Sequence, residues 1–246
     1  MKKKFFIDHQ FASMERHLEA YMMTHLYNPS KKTYHNETIT INGTGIDVCW
    51  CNSSSLWNKV TLRAMINSPA KRMYNEAVWL AAHEIEVETP IGYAEFLSGA
   101  AKNVSAYFRI NRTLEQISAF ADHTSPQGNF AIVSLAETVY QLHQIGVFIG
   151  IRTSEPLMID KNTGNAVWAV NGELSVQHKA VSSIKATKDM NNINLDTDQK
   201  RFFIKKYIDC AARGVYSSYD KWMFYQEISN AGQLILTNLE NEMTAP

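Results

Sequence analysis

The sequence predicts an α+β fold, with strands gathered before a boundary near residues 111–113 and helices after it. Three patterns carry this reading: a hairpin signature over 38–50, two apolar runs at 90–96 and 105–110, and long helical periodicities at 130–144 and 219–242.

Taken in order, residues 9–27 place Phe11, Met14, Leu18, Tyr21, Met22 and Leu26 at spacings of three and four, which predicts a helix closed by Asn28-Pro29-Ser30. Ile39 and Ile41, the turn residues Asn42-Gly43-Thr44-Gly45, and then Ile46, Val48 and Trp50 alternate as a hairpin does. Helical spacing returns over 69–85 through Met73, Ala77, Leu80 and Ala81. Two strands follow, at 90–96 and 105–110. Thr113-Leu114-Glu115-Gln116 then reads as a short helix opening, with Thr113 as cap and Gln116 at the capping-box position. The amphipathic stretch 130–144 runs through Ile132, Leu135, Val139 and Leu142 to Gly146. A second hairpin-like unit, 156–159 and 166–170, flanks the polar turn 160–165. Residues 180–243 are mostly helical in pattern, most clearly at 202–213 and 219–242.

Bulk properties exclude several classes. In 246 residues Lys plus Arg and Asp plus Glu are both 24, so no basic excess calls for nucleic acid. The opening Lys2-Lys3-Lys4-Phe5-Phe6-Ile7 is charged like a secretory leader, but its apolar run stops at Asp8, and no stretch approaches a membrane span. The expected location is the cytoplasm. Cys49, Cys51 and Cys210 are too few for a disulfide framework. Cys49 and Cys51 share one face if 46–51 is a strand, and read as two half-buried thiols. No second Cys/His pair completes a zinc set, so no metal is expected.

The run Ser68-Pro69-Ala70-Lys71-Arg72-Met73-Tyr74, a helix, and then Glu88-Thr89-Pro90-Ile91-Gly92-Tyr93 resembles the lipopolysaccharide kinase (Kdo/WaaP-like) family, in the forms seen in Bacteroidetes. Leu142-His143-Gln144-Ile145-Gly146-Val147 resembles the family's L-H-x-x-G-(V/I), and Leu56-Trp57-Asn58-Lys59 more weakly its L-I-N-R stretch. The resemblance covers most of 36–175. It implies a protein-kinase-like two-lobed fold, with an N-terminal lobe of antiparallel sheet plus one helix over 1–111 and a mostly helical lobe over 112–246.

It also implies where phosphoryl-transfer groups should stand. Such chemistry needs a Lys on the phosphates, a helix Glu to hold it, an Asp and an Asn in the catalytic loop, and a metal-binding Asp on the following strand. Aligned on these motifs, the Lys position falls on Cys49 and the helix Glu on Asn75, with Glu76 one residue away. The family's H-x-D-x-x-x-x-N loop falls on Ile149, Ile151 and Pro156, and the metal-binding Asp on Val170. Isoleucine cannot take a proton and proline offers a cation no side-chain oxygen. The resemblance therefore implies a pseudokinase acting as a binding or scaffolding module, with no cofactor and an unidentified protein or glycolipid partner.

The alternative is an active, divergent kinase that uses ATP and Mg to phosphorylate a lipopolysaccharide core sugar, Kdo or heptose, with Glu76, Glu155 or Glu173 as substitutes. Glu155, Asp160 and Glu173 otherwise read as solvated loop acids, and His143 as a helix-end residue bonded to nearby backbone. The 42–45 turn reads as a plain hairpin turn rather than a phosphate-covering loop. Lys59, Arg63, Lys71 and Arg72 read as a solvated basic face, or else as a site for a phosphorylated ligand. No nucleophile–base pair or metal triad supports an enzyme of another class.

Overall fold

The computed structural model describes residues 3–26, 36–52, 67–96, 104–120, 125–150, 156–174, 176–177 and 179–244. The chain divides into two units. The first holds Met1–Ala82, Val87–Arg112 and Val170–Glu173; the second holds His83–Glu86, Thr113–Ala169 and Leu174–Pro246.

The first unit is built on β1 (Lys3–Ile7), β2 (Glu37–Ile41), β3 (Thr44–Asn52), β4 (Pro90–Phe96) and β5 (Val104–Ile110), with helices α1 (Glu15–Leu26) and α2 (Pro69–Ala81). The strands form one antiparallel sheet in the order β1-β4-β5-β3-β2. Alternation sorts its side chains. Ile46, Val48 and Trp50 of β3 join Val104, Ala106 and Phe108 of β5, and Leu18 and Met22 of α1, in one apolar core. Ile91 of β4 shares that core with Ala94 and Phe96 despite its odd spacing, because a bulge between Pro90 and Gly92 shifts the register. The opposite face of the sheet, bearing Asp47, Cys49, Cys51, Ser105, Tyr107 and Arg109, lies under α2. There Ser105 Oγ accepts the Ala70 N–H at 3.4 Å and Cys51 meets Met73.

Local chemistry explains the boundaries. The β2–β3 turn uses Asn42 and Gly43 with φ of 52° and 79°, the two left-handed residues of a tight hairpin. Ser68 caps α2 by accepting the Lys71 N–H at 3.1 Å, with Pro69 in the first turn. The helix stops at Ala81 rather than 85, and Glu84 beyond it takes a φ of 61°. The predicted 9–27 helix is seen as a 3-10 turn over His9–Met14, capped by Asp8, and α1 to Leu26; its expected stop at Asn28-Pro29-Ser30 lies outside the described residues. The segment after the N-terminal lysines, which the sequence reading assigned to no element, is β1: Phe5 and Ile7 pack against the apolar core, and the strand pairs with β4.

The second unit contains β6 (Leu114–Gln116), α3 (Ile117–Phe120), α4 (Pro126–Gln144), β7 (Leu157–Asp160), β8 (Ala166–Trp168), α5 (Ser183–Asn192), α6 (Thr197–Arg213) and α7 (Tyr219–Thr244). β6, β7 and β8 form a small antiparallel sheet. The expected helix opening at 113–116 is therefore a strand. Pairing of Leu114–Gln116 with β7 overrides the capping pattern, and the helix begins at Ile117. α4 starts from the Ser125 cap, packs against α6, and α6 packs against α7. The α4 stripe Ala131, Ile132, Leu135, Ala136, Val139 and Leu142 is buried throughout. No helix among the described residues is long and apolar enough to cross a membrane.

Candidate functional site

On the α2-facing side of the first unit's sheet, alternation brings chemistry-bearing side chains into pairs across β3 and β5. Cys51 stands opposite Ser105, Cys49 opposite Tyr107, and Asp47 opposite Arg109. Cys49 is 5% exposed, and burial pushes its thiol up to about 11 against the pull of Arg109. Burial raises Cys51 likewise to about 11. Neither carries charge at neutral pH.

Arg109 brings a cation to this face. Its Nη1 donates to Glu88 and its Nε lies 3.4 Å from Asp47 Oδ2, while Asp47 Oδ1 accepts from Thr38 and Asn111 at 2.7 Å each. Glu88 is 2% exposed and also accepts the Val170 N–H at 3.4 Å. Burial raises the Glu88 carboxyl, and the Arg109 guanidinium and the Val170 N–H draw it partway back. Tyr107 is fully buried beside this pair, and its hydroxyl has no hydrogen-bond partner among the described residues. Nothing in the sequence reading singled out Glu88 or Arg109. Arg109 sits in β5, where a charge interrupts an apolar run, and that is the signal that marks it; Glu88, in the alternating Glu84-Ile85-Glu86-Val87-Glu88 stretch before β4, carries no such mark.

The helix position divides cleanly between neighbours. Asn75 is exposed, whereas Glu76 is 4% exposed and close enough to Tyr107 to act on it electrostatically. The inward acid of α2 is thus Glu76. Val170, 5% exposed, buries its side chain. Gly172 takes a φ of +78°, with Met73, Pro69 and Arg72 of α2 closest to where a side chain would begin. Glu173 is exposed, and its N–H donates to Asn171 Oδ1 at 2.9 Å. Lys71 and Arg72 are partly buried on α2. Lys59 and Arg63, like the 56–59 motif, lie outside the described residues.

The second unit holds a different arrangement, at the end of α4. The sequence pointed to a bond between the His143 ring and neighbouring backbone; the ring bonds instead to two side chains distant along the chain. Fully buried, it places Nδ1 2.6 Å from the Tyr207 hydroxyl and Nε2 3.0 Å from Asp189 Oδ2. Asp189 also accepts the N–H groups of Ile149 at 2.7 Å and Gly150 at 2.8 Å. One carboxylate on α5 therefore anchors the start of the loop that follows α4. Asp189 sits on the apolar stripe of α5 with Ala186 and Met190, and an acid on such a stripe is the clue that would have found it.

Ile149 is 8% exposed and Pro156 is buried, its carbonyl accepting the Ala169 N–H at 2.7 Å. Ile151 and Glu155 lie outside the described residues. Asp160 is not a solvated loop acid: it is 3% exposed, and its side chain accepts the Asn162 N–H at 2.8 Å to shape the β7–β8 turn. Among the described residues no group of three His, Cys, Asp or Glu side chains is placed to hold a metal ion.

No family model matches the sequence, and no curated protein is similar to it at sequence level. Solved structures are. The chain matches WaaP in complex with acyl carrier protein with a TM-score of 0.54 and 12% identity, over 94% of this chain and 99% of that one. This is a protein-kinase-like fold. An aminoglycoside-3'-phosphotransferase of type VIII aligns with a TM-score of 0.45 and 11% identity, over 91% of this chain and 100% of that one. In this fold the N-terminal antiparallel sheet and the largely helical C-terminal lobe correspond to the two layouts described above.

Proposed function

We propose that the chain is a catalytically inactive pseudokinase, related to lipopolysaccharide core sugar kinases, that works in the cytoplasm as a binding or scaffolding module. One observation carries this reading: the sheet position that the family resemblance assigns to the phosphate-binding lysine is Cys49, a buried and uncharged thiol. The other assigned positions agree in kind. Val170 offers no oxygen to a cation, Pro156 none from its side chain, and Ile149 no titratable group. A nucleotide triphosphate with its magnesium ion needs converging cations and carboxylates, and Arg109, the cation paired across the sheet from Asp47, is already engaged by Glu88 and Asp47. Those residues do not fit ATP and Mg²⁺ as a kinase would hold them.

Calorimetric titration with ATP, with and without magnesium, tests this. No magnesium-dependent binding is expected at millimolar nucleotide. A clear magnesium-dependent heat or thermal stabilisation overturns the proposal.

The second reading, an active kinase acting on a lipopolysaccharide core sugar, draws support from Glu76, the inward-facing acid of α2. Label transfer from ATP to purified lipid core, lost on Glu76→Ala or Glu173→Ala, distinguishes it. The partner is a protein or glycolipid. The solved WaaP complex makes acyl carrier protein the first to test, by co-elution in gel filtration.

A further inference from the structure

We propose that Cys49, Cys51 and Met73 form a binding site for one soft monovalent metal ion, with Cu(I) as the reference case. The proposal concerns side chains of the first unit alone and does not depend on whether the protein transfers phosphate.

Three observations converge on it. Cys49 and Cys51 are free thiols on the same face of β3, because residues two apart in a strand point the same way. Cys51 Sγ lies 3.7 Å from the carbonyl oxygen of Cys49 on the same strand. Met73, from the helix above, brings its thioether sulfur to 3.7 Å from Cys51 Sγ. Metal–sulfur bonds of about 2.3 Å, spread at trigonal angles, hold sulfurs about 4 Å apart. The Cys51–Met73 separation is already close to that value.

The donor set selects the metal. Two thiols and a thioether are soft ligands, which favour Cu(I) over harder divalent ions. Zinc wants four ligands from Cys, His or carboxylate, and a thioether is not among them. The charge balance also works. Binding Cu(I) releases two thiol protons to the buffer and leaves a complex of one net negative charge, with no change in oxidation state. Each cysteine has a guanidinium close enough to favour its thiolate, Arg109 for Cys49 and Arg72 for Cys51. The Arg72 Nε is buried without a hydrogen-bond partner among the described residues. Burial, which keeps both thiols protonated without metal, is overcome because the metal takes the place of the proton.

The test is an anaerobic titration of the full-length reduced protein with Cu(I) held by a coloured chelator, followed by X-ray absorption at the copper edge. One equivalent of copper is expected to leave the chelator and to show an all-sulfur shell of three scatterers. Met73→Leu, a volume-conserving change, is expected to weaken binding about tenfold and reduce the shell to two sulfurs. Cys51→Ser, checked for native circular dichroism, is expected to weaken it at least a hundredfold, and Cys210→Ser to leave it unchanged. Absence of one-to-one binding, a shell containing nitrogen or oxygen, loss on Cys210→Ser, or a Met73→Leu variant with an unaltered shell would each overturn the site. Zn(II) competing on equal terms with Cu(I) would also overturn it.

Discussion

Asp189 concentrates three hydrogen bonds on one buried carboxylate: the His143 ring and the N–H groups of Ile149 and Gly150. Removing it strands all three partners away from water, and buried polar groups left unpaired cost about 1–3 kcal/mol each, not fully additively. Asp189→Ala is therefore expected to lower unfolding free energy by about 3–5 kcal/mol, read by urea denaturation. Tyr207→Phe, which takes away only the hydroxyl at His143 Nδ1, should cost about 1–2 kcal/mol. The thiols offer a test of a different kind. With Cys49 and Cys51 at about 11 against an ordinary 9.0, the thiolate fraction at pH 8 is about a hundredfold below that of a free cysteine. Iodoacetamide should label them at least that much more slowly in the native protein than in urea. The linkage has a definite sign: the neutral buried thiols stabilise the fold fully below pH 9, and that contribution is lost as pH rises toward 11. At this scale the sequence placed Cys49 and Cys51 on one face, and it expected His143 to bond to neighbouring backbone. It did not show the partners of His143, which lie 46 and 64 residues away along the chain.

Among elements, β1 was the least legible. Three lysines before Phe5-Phe6-Ile7 look like a charged leader, and only pairing with β4 reveals the alternation. That pairing depends on Gly92. A side chain there would begin 2.1 Å from the Phe6 carbonyl oxygen and 2.9 Å from the Ile7 Cα, where no atom of β1 can yield without moving backbone. Gly92→Ala is expected to detach β1 from the sheet edge. Hydrogen exchange should show amide protection lost over Lys3–Ile7 while β3 and β5 keep theirs; protection retained at β1 would contradict this account of the glycine. The β6 strand was misread for a related reason. Its Thr-x-x-Gln spacing meets the requirement of a helix cap, but hydrogen bonding to β7 decides the conformation, and that partner is some forty residues downstream, as the pairing of Leu114 with Asp160 shows. By contrast, α2, α4 and the β2–β3 hairpin were legible because cap, periodicity and turn residues all agree locally.

For the molecule as a whole, the order of sheet-rich and helix-rich parts was readable from periodicity, and the kinase-like likeness from a few short motifs. What no local pattern could give is how the chain packs around the positions that the resemblance assigns to phosphoryl transfer. Glu88 shows this best. It is held by Arg109 and in turn holds the Val170 N–H, so the residue standing at the expected metal-binding position is tied to a buried acid by its backbone. Restoring the carboxylate by Val170→Asp would place a second acid beside Glu88, whose own carboxyl burial has already raised. Like charges in a desolvated setting repel, and the new acid has no identified cation to spare for it. The variant is expected to lose about 3 kcal/mol at pH 7. Its carboxyl pKa should be raised in the folded state, so the loss shrinks as pH falls and the acid protonates, and grows as pH rises through that raised value. Denaturation at pH 5 and pH 7 checks the sign, and calorimetry with ATP and Mg²⁺ checks the function. A variant as stable as the parent that gains magnesium-dependent nucleotide binding would mean that a single carboxylate was all the site lacked. The expectation is an unstable protein that still binds no magnesium nucleotide, because Cys49 and Pro156 remain as they are.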